Sequence, residues 1–295
     1  MYLPDFDYYA PETLKEACSL LARLNGGASV LAGGTDLLSH MKNELISPKA
    51  LVSLRRIKGL DTIAYVAEKG LVIGARATHN DLAGSQVLRE RYPALPETAR
   101  VMANNQIRNR GTIGGNIVSA VPSADLPPIL IALGASVVIE GPNGTRTVLL
   151  EQFFVGPRCS IIAADEVLAG IVIPDQATTG SAYCKFGLRR SGALAVVGVA
   201  ASVVADGASV TQARIVLGAV APTPLRARQA EKLLAGNAVT ESLLEEAGRS
   251  AANECRPISD IRGPEEYRRD MVRVFTKRAL RKALNMPIQH TGEGT

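Results

Sequence analysis

Two stretches of this chain set paired glycines beside small polar residues: "VLAGGTDLL", Val30 to Leu38, and "RNRGTIGGNIVSAVPSADLPP", Arg108 to Pro128. A strand that ends in Gly-Gly and feeds a helix exposes backbone N–H groups, and glycine lets an anion approach them closely. Gly33-Gly34 followed by Thr35 and Asp36 fits that arrangement. In the second stretch Thr112 offers a hydroxyl, Gly114 and Gly115 offer bare amides, and Asn116 is placed to hold the loop through its side chain. Asp125 follows, ahead of the stiff Pro127-Pro128 pair. A carboxylate repels phosphate but accepts a hydrogen bond from a ribose or ribityl hydroxyl. Taken singly, each loop is equally a tight turn. Taken together, they suit a ligand with two phosphates and a polyol, a dinucleotide such as FAD. The stretches match neither G-x-x-x-x-G-K-[ST] nor G-x-G-x-x-G, so a P-loop or a Rossmann nicotinamide site is not supported.

Other chemistries find little footing. The four cysteines, Cys18, Cys159, Cys184 and Cys255, show none of the close spacing of zinc or iron–sulfur ligands. They read as small buried apolar residues. His40, His79 and His290 form no ligand pair and read as surface or cap residues. No metal site is therefore expected in this chain. Apolar residues make up 46% of the 295 and charged ones 21%, an ordinary globular mix. No apolar run is long enough to span a membrane, and the acidic N-terminus lacks the features of a secretory signal, so a cytoplasmic protein is expected. Net charge is +5, with aromatics at 4% and no Trp, which argues against nucleic-acid binding.

The elements that must position these residues can be read along the chain. Residues 12–24 form an amphipathic helix ended by "NGGA", where glycine can cap. "SVLAGG" is a short strand, "TDLLSHMKNEL" a helix starting at a Thr or Asp cap, and "ALVSL" another buried strand, which together make a parallel α/β unit. Residues 62–78 give a hairpin turning at "EKG". Residues 78–102 are helical with a break at Pro93. After the second glycine stretch come a helix, a strand, a "GPNG" turn, a return strand and the strand "EVLAGIVIP". Beyond Pro174 the pattern changes to two or three antiparallel strands, then helices near 227–235, 240–253 and 264–284. On the last helix Tyr267, Met271, Val274, Phe275 and Ala279 share a face. Arg268, Arg269, Arg273, Lys277, Arg278, Arg281 and Lys282 surround it, as a solvated basic face or a partner surface. The expected division is 1–57, 58–175 and 176–285, with a disordered tail over 286–295.

"LAGGTDLL", "QIRNRGTIGGNI", "PSADLPP", "EVLAGIVIP" and "YCKFGLRRSGALAVVGVA" together closely resemble the FAD-binding medium subunits of the molybdenum hydroxylases, the xanthine dehydrogenase and aerobic carbon monoxide dehydrogenase type. Each motif is weak alone; five in order over residues 1–284 are strong. The resemblance implies an α+β fold of the vanillyl-alcohol-oxidase/PCMH type, in which two subdomains hold noncovalent FAD, followed by a small antiparallel sheet with helices. It implies that the backbone of Val30, Leu31, Ala32, Gly33, Gly34, Thr35, Asp36 and Leu37 forms the first pyrophosphate loop. Thr112, Ile113, Gly114, Gly115 and Asn116 would form the second. Asp125 resembles the family's sugar-binding Asp, and Met102 falls where relatives place a flavin neighbour. Leu168 and Lys185 resemble the residues beside the isoalloxazine ring, although Leu168 also fits plain core and Lys185 a surface charge. Lys185 near the flavin's polar edge would favour the anionic reduced form. Where relatives commonly carry Asp, this chain has Ala193. It has no sign of the extra cluster-binding loop of the 4-hydroxybenzoyl-CoA reductase branch.

The implied role is electron exit. A molybdopterin large subunit oxidises the substrate, [2Fe-2S] clusters of a small subunit pass electrons singly to FAD here, and an external acceptor (NAD, a quinone or another) takes them away. The expected assembly is a dimer of heterotrimers. "QIRN" and "LGAVAPTPLRA" incline the substrate towards a purine or other N-heterocycle. Two rivals remain: a self-contained FAD reductase or oxidase, and a non-catalytic assembly subunit that docks through the basic C-terminal helix.

Overall fold

The computed structural model describes residues 3–175, 178–189 and 191–286. Residue His290 and the tail from 287 onwards lie outside the described residues.

The chain opens with β1 (Asp7–Tyr9), α1 (Leu14–Leu24), β2 (Ala28–Leu31), α2 (Leu37–Lys42) and β3 (Ala50–Ser53). The strands form a parallel sheet in the order β1-β3-β2. Thr13 caps α1 by accepting from the Glu16 N–H. Asn25, at φ 44°, takes the left-handed closing position one residue before the glycines expected to do so.

Next come β4 (Ile63–Val66), β5 (Gly70–Gly74) and the helices α3 (His79–Gly84), α4 (Gln86–Arg91), α5 (Ala94–Val101), α6 (Asn105–Arg108), α7 (Ile113–Val118) and α8 (Leu126–Ala132). Then follow β6 (Ser136–Gly141), β7 (Gly144–Leu149), the small pair β8 (Phe154–Gly156) and β9 (Cys159–Ser160), and β10 (Val167–Ile173). The main sheet is antiparallel in the order β4-β5-β10-β6-β7. β10 thus slots between two hairpins far from it in sequence. α8, "LPPILIA", is wholly buried because every residue in it is apolar; it packs on α5 and α7 and on the sheet of the last unit. α1 packs on β6 and β10, so Val167 joins the core of the first unit.

The last unit holds β11 (Gly180–Phe186), β12 (Val197–Asp206), β13 (Ser209–Gly218), β14 (Leu225–Arg226), α9 (Arg228–Leu234), α10 (Glu241–Glu254) and α11 (Glu265–Ala283). Its sheet is antiparallel in chain order, with four strands rather than two or three. The buried stripe of α11 runs through Arg268, Val272, Phe275, Thr276, Ala279, Leu280 and Ala283, so Tyr267 stands outside it, 42% exposed. Arg268 can be buried because Asp260 pairs with its guanidinium.

The basic face of α11 is not simply solvated. Arg273 reaches Glu245 at 2.5 Å, Lys277 reaches Glu241 and Glu245 at 3.2 and 3.5 Å, Arg281 pairs with Glu241, and Lys282 reaches Glu97 at 2.6 Å. The acidic residues of α10 and α5 cover this charge, which only the packing could reveal.

Candidate cofactor site

The first glycine loop leaves β2 and enters α2. Gly33 has no room for a side chain, since a Cβ there would overlap the Arg110 carbonyl oxygen and crowd Gly111. Its bareness lets the two glycine stretches touch. Gly34 sits at φ +78°, a conformation that favours glycine. Among the described residues, the backbone N–H groups of Gly33, Gly34, Thr35 and Asp36 have no hydrogen-bond partner. Successive free amides at a turn are the kind of backbone that can bind an anion. Asp36 stands at the start of α2 but makes no capping bond; its Oδ2 accepts from Ser119 Oγ at 2.7 Å and ties the loop to α7.

The second stretch is not a bare loop. Residues 113–118 form α7, capped by Thr112, whose Oγ1 accepts from the Gly115 N–H at 3.1 Å. Ile113 N–H donates to Ala77 O and Gly114 N–H to Ala75 O, both at 2.9 Å, so these amides are engaged with the end of β5. The two glycines differ in purpose. A Cβ on Gly114 would lie 2.7 Å from the Cβ and carbonyl oxygen of Ala75, so that glycine serves helix–strand contact. A Cβ on Gly115 would meet only Thr112 Oγ1, at 3.1 Å, and Gly115 lines open space. Thr112, not Asn116, holds the loop: Asn116 Oδ1 is buried with no partner among the described residues.

Between the two stretches lies a cleft of about 540 Å³, within the usual range for small-molecule sites. Its walls come from all three units: the β2–α2 loop, Met102 to Asn116, Ser123 to Asp125, the run into β10, and Gly192 to Leu194. The structure brings Val30, Ala32, Gly33, Gly34, Thr35, Asp36, Leu37, Met102, Thr112, Gly114, Gly115, Asn116, Asp125 and Leu168 to its surface. Leu31 and Ile113 are not among the lining residues; Ile113 is fully buried beneath. Ala103, beside Met102, holds φ 40°, unusual for a residue with a Cβ, and its carbonyl accepts from the Gly192 N–H at 2.9 Å. Glu166 stiffens the opposite wall, taking a bidentate Arg146 at 2.7 Å and the Ala163 N–H at 2.8 Å.

Lys185 is neither a surface charge nor a lining residue. Its Nζ lies 2.8 Å from Asp125 Oδ2 and 3.2 Å from Val101 O. Tyr183 donates its hydroxyl to Asp125 Oδ1 at 2.7 Å. Burial pushes the Asp125 carboxyl up, with Lys185 and Tyr183 opposing. The positive charge expected at the cleft is therefore compensated by the carboxylate that faces it.

His79 was not expected here. It is 4% exposed, not a surface residue, and it lines the cleft. Burial, aided by Arg108 and opposed by Asp36, lowers its imidazole to about 4, so it is neutral at pH 7. "THND" held the available signal: Thr78 and Asp81 form a capping box, which puts His79 in the first turn of α3.

Among the described residues no three His, Cys, Asp or Glu side chains converge to hold a metal, and no helix is long and apolar enough to cross a membrane. The free amides, the bare surface of Gly115 and the unpartnered Asn116 Oδ1 fit a phosphate-bearing polyol such as FAD.

Comparison with known proteins gives the same direction. The family described as "FAD binding domain in molybdopterin dehydrogenase" matches residues 4–176, and "CO dehydrogenase flavoprotein C-terminal domain" matches residues 181–283. The carbon monoxide dehydrogenase medium chain of Hydrogenophaga pseudoflava is 40% identical over 286 residues, 96% of this chain and 98% of that one. A solved carbon monoxide dehydrogenase from Hydrogenophaga pseudoflava superposes at a TM-score of 0.93, covering 97% of this chain and 99% of that one. Quinoline 2-oxidoreductase from Pseudomonas putida 86 superposes at 0.91 with 32% identity, covering 97% and 99%. With its α+β fold and its cleft, the chain belongs to the FAD-binding medium subunits of the molybdenum hydroxylases, the flavoprotein components of multi-subunit oxidoreductases.

Proposed function

We propose that this chain is the electron exit of a molybdenum hydroxylase. It takes electrons from [2Fe-2S] clusters of a small partner subunit and passes them to an external acceptor, within a dimer of heterotrimers whose large subunit carries molybdopterin. The carrying observation is the cleft with four free amides on one wall and Gly115 on the other. FAD, once bound, supplies the two-electron store between one-electron donors and the acceptor.

The chain's own residues bind, orient and shield. The Gly33–Asp36 amides hold a diphosphate, with Thr112 and Gly115 shaping the facing wall. Asp125, fixed by Tyr183 and Lys185, has lone pairs left for a sugar or ribityl hydroxyl. Met102 and Leu168 give the ring an apolar seat. On this reading residues 1–57 and 58–175 form the cradle, and 176–285 closes it through Gly192–Leu194. The compartment is the cytoplasm.

The large subunit selects the substrate. An N-heterocycle rests on "QIRN" and "LGAVAPTPLRA", and both segments are largely engaged internally: Arg108 donates to Met102 O and Asn80, and Arg226 pairs with Glu231 at 2.6 Å. The rival assembly subunit loses its motive, because partners within the chain cover most of the basic helix. Purification should bring a yellow complex containing iron–sulfur and molybdenum subunits. A lone chain that turns over a small substrate by itself would overturn the proposal in favour of a self-contained reductase or oxidase.

A further inference from the structure

His79 Nδ1 is sealed from solvent with no hydrogen-bond partner among the described residues, while the ring lines the cleft. Its Nε2 edge lies against Gly111, where a Cβ would stand 3.0 Å from Cδ2 and 3.1 Å from Nε2. Gly111 in turn sits against Gly33. The imidazole thus stands at the crossing of the two glycine stretches, next to the loop that carries the free amides.

A neutral imidazole has one N–H and one lone-pair nitrogen, and the hydrogen bonds available decide which is which. Buried N–H groups without an acceptor are rarer than unsatisfied acceptors. The sealed Nδ1 is therefore the lone-pair nitrogen, and Nε2 carries the hydrogen. We propose that His79 is a cofactor-binding residue whose Nε2–H donates to the diphosphate of FAD, completing the anion site begun by the Gly33–Asp36 amides. Gly111 is bare because a side chain there would press on the imidazole. A neutral donor suits this place: it contributes a hydrogen bond to the anion without adding a buried cation next to the half-buried Arg108.

The inference rests on the FAD reading of the cleft. The test uses the full chain in the complex with which it purifies, stripped of flavin and titrated by fluorescence with FAD and with riboflavin, which lacks the diphosphate. His79→Leu should weaken FAD about tenfold, or ~1.4 kcal/mol, and leave riboflavin unchanged. His79→Gln, which keeps a donor, should stay within about threefold of the parent for FAD. Unchanged FAD affinity in His79→Leu, equal loss for both flavins, or a Gln variant as weak as the Leu variant would each overturn the assignment. A parent complex that fails to rebind FAD at all would strike the FAD reading instead.

Discussion

Substituting Gly115 by Val separates a cofactor wall from a mere turn. The backbone at Gly115 is helical with no left-handed φ, so valine adds no conformational strain there. Valine is a better helix former than glycine by a few tenths of a kcal/mol. Against this stands one contact, the new Cβ at 3.1 Å from Thr112 Oγ1. The fold should hold to within ~1 kcal/mol, as is usual away from the core. The added methyls instead fill the cleft where a phosphate would lie. Loss of a phosphate hydrogen-bonding patch costs on the order of 2–4 kcal/mol, or roughly 30- to 1000-fold in affinity. Gly114→Val is the contrast, because its Cβ would lie 2.7 Å from Ala75 and the helix must move, costing about 1–3 kcal/mol of stability. The assay is flavin content by absorbance, FAD titration and thermal melting of the stripped protein. Gly115→Val should be pale and stable, able to accept electrons at its iron–sulfur partner but not to pass them on. Stoichiometric flavin with normal turnover in Gly115→Val would refute the reasoning, and "TIGGN" would be only a capped turn.

Three further outcomes are expected. Lys185→Met leaves Asp125 buried without its cation and should lower stability by ~3–5 kcal/mol; adding Asp125→Asn should recover most of that, and a double-mutant cycle in denaturant showing no coupling would contradict the pairing. His79 binds a proton near pH 6.5 when unfolded but only near 4 when folded, so stability is full above pH 6.5 and falls towards pH 4, by on the order of 3 kcal/mol; denaturant melts of the flavin-free protein should show this slope, and His79→Leu should flatten it. Acid precipitation should release all flavin to the supernatant, because among the described residues no cysteine lines the cleft and its histidine, His79, sits by Gly111 at the proposed diphosphate site rather than at the ring seat of Met102 and Leu168; flavin retained in the pellet would disprove noncovalent binding.

Much of the local structure was legible without coordinates. Apolar periodicity and turn residues set α1 and α9 to α11 within a residue or two, and the hairpin β4–β5 except that its second strand ends four residues early, because those signals act over a few residues. The two glycine stretches and Asp125 marked the cleft for the same reason: bare backbone beside small polar groups is a local property. What tertiary structure decided was how each group is used. Nothing near Gly33 in sequence says that its bareness accommodates Arg110, or that Gly114 faces Ala75 while Gly115 faces open space. Lys185 looked like a free cation until β11 brought it to Asp125, sixty residues earlier. The arginines of α11 looked solvated until α10 packed beside them. His79 looked like a surface cap until α6 and Gly111 closed over it. Burial and pairing depend on segments distant in the chain, so the charge state and partners of a side chain are set only when the sheets and helices assemble.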